Sequence, residues 1–270
     1  MQESLVPTAW SRPRLSLGGP PAQVLLVALT DAQLPDPLPV SRSRHGLPAS
    51  ATAGEATLCV RDRAEHAAYF ADLAGSALLE LVADELGPAA AAAARTAGRA
   101  YQIEAVLDDP SDLGYLQAAW ALARCVADEA AAAGAATVVI DVLAGRAWTG
   151  DAVRAEDPHR ALDPTREVSI VVEDGAPSPD APPAATATVF TRGLRKLGRA
   201  DLVVPGVEPT TVAEVASLLR SLVVALAEGD LLEVGDVLEL PDAAPYQVTA
   251  LAPEAADALG LAADALALTR

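Results

Sequence analysis

The apolar run AQVLLVALT, residues 22–30, is continuous and of strand length, which places a fully buried strand near the start of the chain. Residues 31–55 then carry four prolines and no periodicity, the composition of a long surface loop. EATLCVR reads as a second strand. From Ala64 to Leu86 the residues Tyr69, Leu73, Leu78, Leu79 and Val82 recur at helical spacing until Gly87-Pro88 stops them, and an Ala-rich helix follows to about Arg99. Residues 100–107 alternate as a strand. Leu113, Leu116, Trp120, Ala123 and Ala127 then stripe a helix over 113–133 that Gly134 ends. ATVVIDVLAG and REVSIVVED read as further strands, and the Pro-rich GAPSPDAPPAA follows the second of them. Beyond it the pattern gives a strand at TATVF, a helix over 210–228, short strands at GDVLEL and YQVTAL, and a closing helix from Pro253.

This irregular alternation, with hairpin-like pairs towards the end, predicts an α+β fold in which a mixed β-sheet is flanked by helices. The divisions read as a polar leader (1–20), an N-terminal α/β lobe (21–174), a Pro-rich linker (175–184) and a C-terminal α+β lobe (185–270). A single continuous domain is the alternative.

Composition narrows the function classes. Hydrophobic residues make up 51% of the 270 and aromatics only 3%, so the core is packed from small aliphatic side chains. With 37 acidic residues against 19 basic ones, a net charge of −18 repels phosphate backbones and argues against nucleic acid as a general partner. No stretch approaches the uncharged length of a membrane span, and the first twenty residues lack the apolar block of a signal peptide. Cys59 and Cys125 both interrupt apolar runs, so both are expected to be free, buried and reduced, which points to the cytoplasm. A single lysine among 19 basic residues reads as the codon bias of a GC-rich bacterial genome.

The motifs that would carry chemistry are missing or incomplete. Gly193 and Gly198 have the spacing of a phosphate loop, but Arg199 and Ala200 stand where it needs Lys and Ser/Thr. Dinucleotide, zincin, esterase and lactamase signatures do not occur. Asp108, Asp109 and Asp112 could hold a divalent metal, yet they also sit where acids cap the following helix, the plainer account. His66 and His159 lack ligand spacing. Cys59 beside His66 could act as a nucleophile, but an inert core thiol is the simpler reading. Asp141 lies within an apolar strand and is expected to be covered, accepting backbone hydrogen bonds. Trp120 and Trp148 read as packing residues. No catalytic residue, metal ligand or cofactor is therefore assigned.

One segment stands out against the acidic background. TRGLRKLGRADLVV holds the only lysine and three arginines. On a helix, Arg192, Arg195, Lys196 and Arg199 fall on one face and Phe190, Leu194 and Leu197 on the other. Such a face either docks an acidic partner or is neutralised by carboxylates of the same chain. The segment resembles uncharacterised bacterial domain-of-unknown-function families in which Thr-Arg-Gly-(Leu/Met)-x-x-(Phe/Leu)-Gly precedes an acidic-apolar strand. AAWALARCVADEAAAAGAATVVIDVLAGRAW also looks like the helix-strand-Trp unit of such chains. Together these cover about a third of the sequence, and the resemblance implies an α+β fold with no established catalytic residues. The reading that follows is a non-enzymatic cytoplasmic bacterial protein that acts through protein binding at Arg192, Arg195, Lys196 and Arg199, with homo-oligomerisation open. The alternative is an enzyme of unrecognised class with an acidic or Arg-containing cleft.

Overall fold

The computed structural model describes residues 9–51, 55–174, 186–239 and 244–270. In chain order the elements are β1 (Ala22–Thr30), α1 (Arg42–His45), β2 (Thr57–Asp62), α2 (Ala67–Ala74), α3 (Ala77–Leu86), α4 (Pro88–Thr96), β3 (Arg99–Leu107), α5 (Gly114–Ala132), β4 (Thr137–Asp141), β5 (Arg146–Thr149) and α6 (Gly150–Ala155). Then come α7 (Pro164–Glu167), β6 (Ser169–Asp174), β7 (Ala187–Arg192), β8 (Leu202–Val207), α8 (Val212–Ala227), β9 (Val237–Leu238), β10 (Tyr246–Ala250), α9 (Pro253–Ala258) and β11 (Leu266–Thr269). The fold is α+β with two sheets, and among the described residues no helix is long and apolar enough to cross a membrane.

Two compact units divide the chain, one holding residues 1–11 and 23–162 and the other residues 12–22 and 163–270. The division therefore falls at Leu162 and not at the Pro-rich stretch, which lies wholly outside the described residues. The flanking strands explain why: β6 and β7 pair antiparallel from Ser169↔Arg192 to Asp174↔Ala187, so the stretch joins neighbours in one sheet. The expected leader is also tied down where it is described. Trp10 is buried and its carbonyl accepts from Leu113 N at 2.8 Å in the first unit, while Arg14 N and Ser16 N donate to Glu228 O and Gly229 O in the second.

The first unit is built on a sheet in the order β2-β3-β1-β4-β5. Strand alternation sends Val27, Leu29, Ala100, Val138, Ile140 and Ala147 to one face, where Phe70, Leu73, Leu79, Val82, Ala91 and Ala94 of α2, α3 and α4 cover them. The opposite face takes α5. Trp148 lies across from Val139, and its ring meets Trp120 of α5 edge-to-face at 5.2 Å. The helix expected over 64–86 is two helices, broken at Gly75-Ser76, where Ser76 Oγ donates back to Leu73 O at 2.7 Å.

The second unit has the sheet order β6-β7-β8-β11-β10-β9, with α8 on one face. Its registered pairs are antiparallel except β8 with β11, which run parallel. The expected closing helix ends at Ala258. Leu266–Thr269 instead forms a strand in the middle of the sheet, buried at its first three positions.

Candidate functional site

After β7 the basic segment turns and does not continue as a helix. Gly193 (φ 108°) and Gly198 (φ 62°) occupy the left-handed region, and a single 3-10 turn, Leu194–Leu197, lies between them. Glycine reaches these angles without the clash a Cβ would bring. The four-residue basic face therefore does not form.

Lys196 points inward. Its Nζ lies 2.9 Å from Glu167 Oε2, with both side chains fully buried. Arg199 is also buried and spreads over backbone carbonyls. Its Nε donates to Asp230 O (2.5 Å), its Nη1 to Gly198 O (2.8 Å), and its Nη2 to Gly229 O (2.9 Å) and Ser16 O (3.2 Å). Arg195, with a side chain 15% exposed, reaches Asp264 Oδ1 at 2.7 Å. Arg192 is half-buried. Of the expected docking residues Arg192, Arg195, Lys196 and Arg199, the last three thus give their charges to acids and carbonyls of the same unit, because a buried cation without a partner is too costly to keep.

Asp201 closes this knot. Its Oδ1 accepts from Thr191 Oγ1 (2.9 Å) and Leu194 N (3.1 Å), and Thr191 Oγ1 accepts in turn from Leu202 N (2.8 Å). Burial pushes the Asp201 carboxyl up to about 6, against the pull of these hydrogen bonds and of the Arg192 charge.

The other residues marked in the sequence also make local structural bonds. Asp112 Oδ1 accepts from Gly114 N at the start of α5 (2.8 Å), and Asp109 has a left-handed backbone (φ 41°). Among the described residues no group of His, Cys, Asp or Glu is arranged to hold a metal. Asp141 is fully buried and accepts from Ala144 N (3.0 Å), as expected of a strand-end acid. His66 Nδ1 lies 3.3 Å from Asp62 O, and His159 N donates to Asp157 Oδ1 (2.8 Å). The cysteines divide. Cys125 is buried in α5, where burial pushes its thiol up to about 12, whereas Cys59 is exposed on β2, contrary to the expectation for both. An apolar run does not reveal that its strand lies at a sheet edge, beyond the helices that cover the middle.

Sequence reasoning missed a buried cluster in the first unit. His45 is 1% exposed, its Nδ1 accepts from Ser41 N (2.9 Å), and its Nε2 faces Asp128 Oδ2 (3.1 Å), which also binds Arg44 Nε (3.0 Å). Its carbonyl accepts from Arg124 Nη1 (2.9 Å). Burial lowers the His45 pKa, opposed by the Asp128 carboxylate. The signal was present: Ser41 and Gly46 bracket SRSRHG as N-cap and left-handed C-cap of α1. With both ring nitrogens engaged, His45 pins the 31–51 loop to α5.

A cleft of about 520 Å³ opens in the second unit at the C-terminal ends of the parallel strands β8 and β11. Val204, Val207, Val215 and Leu268 give it an apolar floor, and Glu208, Thr211, Thr269 and Arg270 stand at its polar side. Tyr246 lines it while only 4% exposed, and the Arg270 guanidinium lies 4.7 Å from the Tyr246 ring centre. None of the acids and arginines marked in the sequence reaches this cleft.

No protein-family model, curated protein or solved structure matches the chain.

Proposed function

We propose that this chain is a binding protein, not a catalyst, and that it takes up an extended segment of a partner polypeptide along the outer edge of β2. The observation that carries the reading is the character of that edge. β2 is the terminal strand of its sheet, and among the described residues no strand pairs its outer side. Thr57, Cys59 and Val60 are exposed, Val60 at 48%, and Thr57–Val60 contains no charge. Folded proteins usually guard such an edge with charges, proline or a bulge, because its free N–H and C=O groups template another strand. The uncharged first four residues of this open edge, ahead of Arg61 and Asp62, suit strand addition, in which main-chain hydrogen bonds supply affinity and alternate side chains supply selectivity.

Two further features support the reading. The strongly polar groups of the basic segment serve the interior of their own unit, which leaves them to structure and not to turnover. The exposed thiol of Cys59 suits a reducing compartment such as the cytoplasm.

The test is Val60→Lys, which places a guard charge at an exposed position and is expected to change stability by no more than about 0.5 kcal/mol. Wild-type tagged protein is expected to retain its partner from a host extract and the variant to lose it. Equal capture by both proteins sinks the reading. Light scattering on the same pair separates the sources: a wild-type dimer that Val60→Lys dissociates identifies a second copy of the chain as the occupant.

A further inference from the structure

The cleft at the ends of β8 and β11 has the placement and the groups of a ligand site, independent of the β2 edge. In open sheets, ligands bind beyond the carboxyl ends of parallel strands, where the chain passes into a helix. Here β8 passes through Glu208–Thr211 directly into the sixteen-residue α8. The N-terminus of that helix carries no side-chain cap: the Thr211 hydroxyl donates to Glu208 O at 3.0 Å, outside the helix. The N–H groups of the first turn and the positive end of the helix dipole therefore remain to be satisfied at the cleft wall that Thr211 and Val215 form.

Tyr246 is a second and independent pointer. It is 4% exposed and lines the cleft, yet no described residue hydrogen-bonds its hydroxyl. The oxygen itself is not sealed off among the enclosed unpartnered atoms, so a molecule in the cleft can reach it. Its ring also carries the Arg270 guanidinium at 4.7 Å, which holds a positive charge against the same wall.

We propose that this cleft binds a small carboxylate with a short aliphatic body. The carboxylate meets the α8 N-terminus, the Tyr246 hydroxyl and Arg270, while the aliphatic part lies on Val204, Val207 and Leu268. Glu208 decides between anions. Its exposed carboxylate also lines the cleft, so it opposes a phosphate dianion more strongly than a singly charged carboxylate.

The experiment is an NMR titration of the full chain with isovalerate, its uncharged amide isovaleramide, inorganic phosphate and a valine-ended tripeptide. Isovalerate is expected to shift the amides of Val212, Ala213, Glu214 and Tyr246 saturably, and isovaleramide to bind about tenfold more weakly or worse, a difference of about 1.4 kcal/mol. Tyr246→Phe and Arg270→Gln are each expected to weaken isovalerate binding several-fold while the rest of the spectrum stays unchanged. Tighter binding of the tripeptide than of isovalerate supports the same site and assigns the carboxylate to a polypeptide end. The proposal is overturned by the absence of saturable shifts up to about 10 mM isovalerate. Equal binding of acid and amide, tighter binding of phosphate, or wild-type affinity in both variants overturns it equally.

Discussion

Lys196 is the only lysine in the chain, and it is sealed against Glu167 at 2.9 Å. Removing one partner of such a pair strands a buried charge, so Lys196→Met is expected to destabilise the protein by about 3–5 kcal/mol, whereas Lys196→Met with Glu167→Leu recovers most of that loss. Urea denaturation of the two variants checks this, and wild-type stability in the single variant would refute it. Asp201 gives a pH-dependent counterpart. Its native carboxyl titrates near 6 against an ordinary 3.8, so between these values the folded state holds more protons than the unfolded one. Stability from this group therefore rises as pH falls from about 6 towards 3.8 and is lost as pH rises through about 6. The difference is on the order of 2–3 kcal/mol, because each tenfold change in proton affinity is worth about 1.4 kcal/mol. Asp201→Asn keeps an Oδ1 acceptor for Thr191 and Leu194 but does not ionise. The variant is therefore expected to gain stability relative to wild type as pH rises from 4 to 7.5, read from denaturation midpoints across that range. A constant stability difference between the two proteins over the same range would count against the buried-acid account.

At the level of elements, α5 was the most legible part of the sequence. Its stripe at helical spacing and the Gly134 stop place it within a residue or two, and Trp120 on that stripe is 1% exposed against Trp148. Trp120→Ala is expected to cost about 3–5 kcal/mol, read as a lowered denaturation midpoint, because a void of that size cannot close. An unchanged midpoint would place the ring outside the core. The basic segment was the least legible. Its residue spacing fits a helix, but glycines at 193 and 198 with φ of 108° and 62° turn the chain, and a two-dimensional face count carries no information about which charges lie inside. β11 was missed for a related reason. A segment of three apolar residues and a threonine, LALT, is too short to separate a central strand from a helix end.

Across the whole molecule the charge excess is the property the sequence states most directly. At −18 the folded chain repels itself, and added salt screens that repulsion. Raising salt from about 0.01 to 0.1 M shortens the screening length from about 30 to 10 Å, so the melting temperature is expected to rise over that interval. A fall would show that paired charges such as Arg195–Asp264 outweigh the net repulsion.

Sequence alone determined the α+β class, most strands and helices, the acidic field and the buried state of Asp141, Trp120 and Cys125. Each follows from local periodicity or from counting, which needs no knowledge of distant neighbours. Only the tertiary structure decided the rest. Lys196 lies inside because Glu167, 29 residues away, is there to meet it. Cys59 lies outside because β2 is an edge strand. The 31–51 loop is held because His45 meets Asp128 across 83 residues, and the cleft exists because β11 returns parallel to β8. Burial and pairing between distant residues are properties of the packed chain, and a one-dimensional pattern does not contain them.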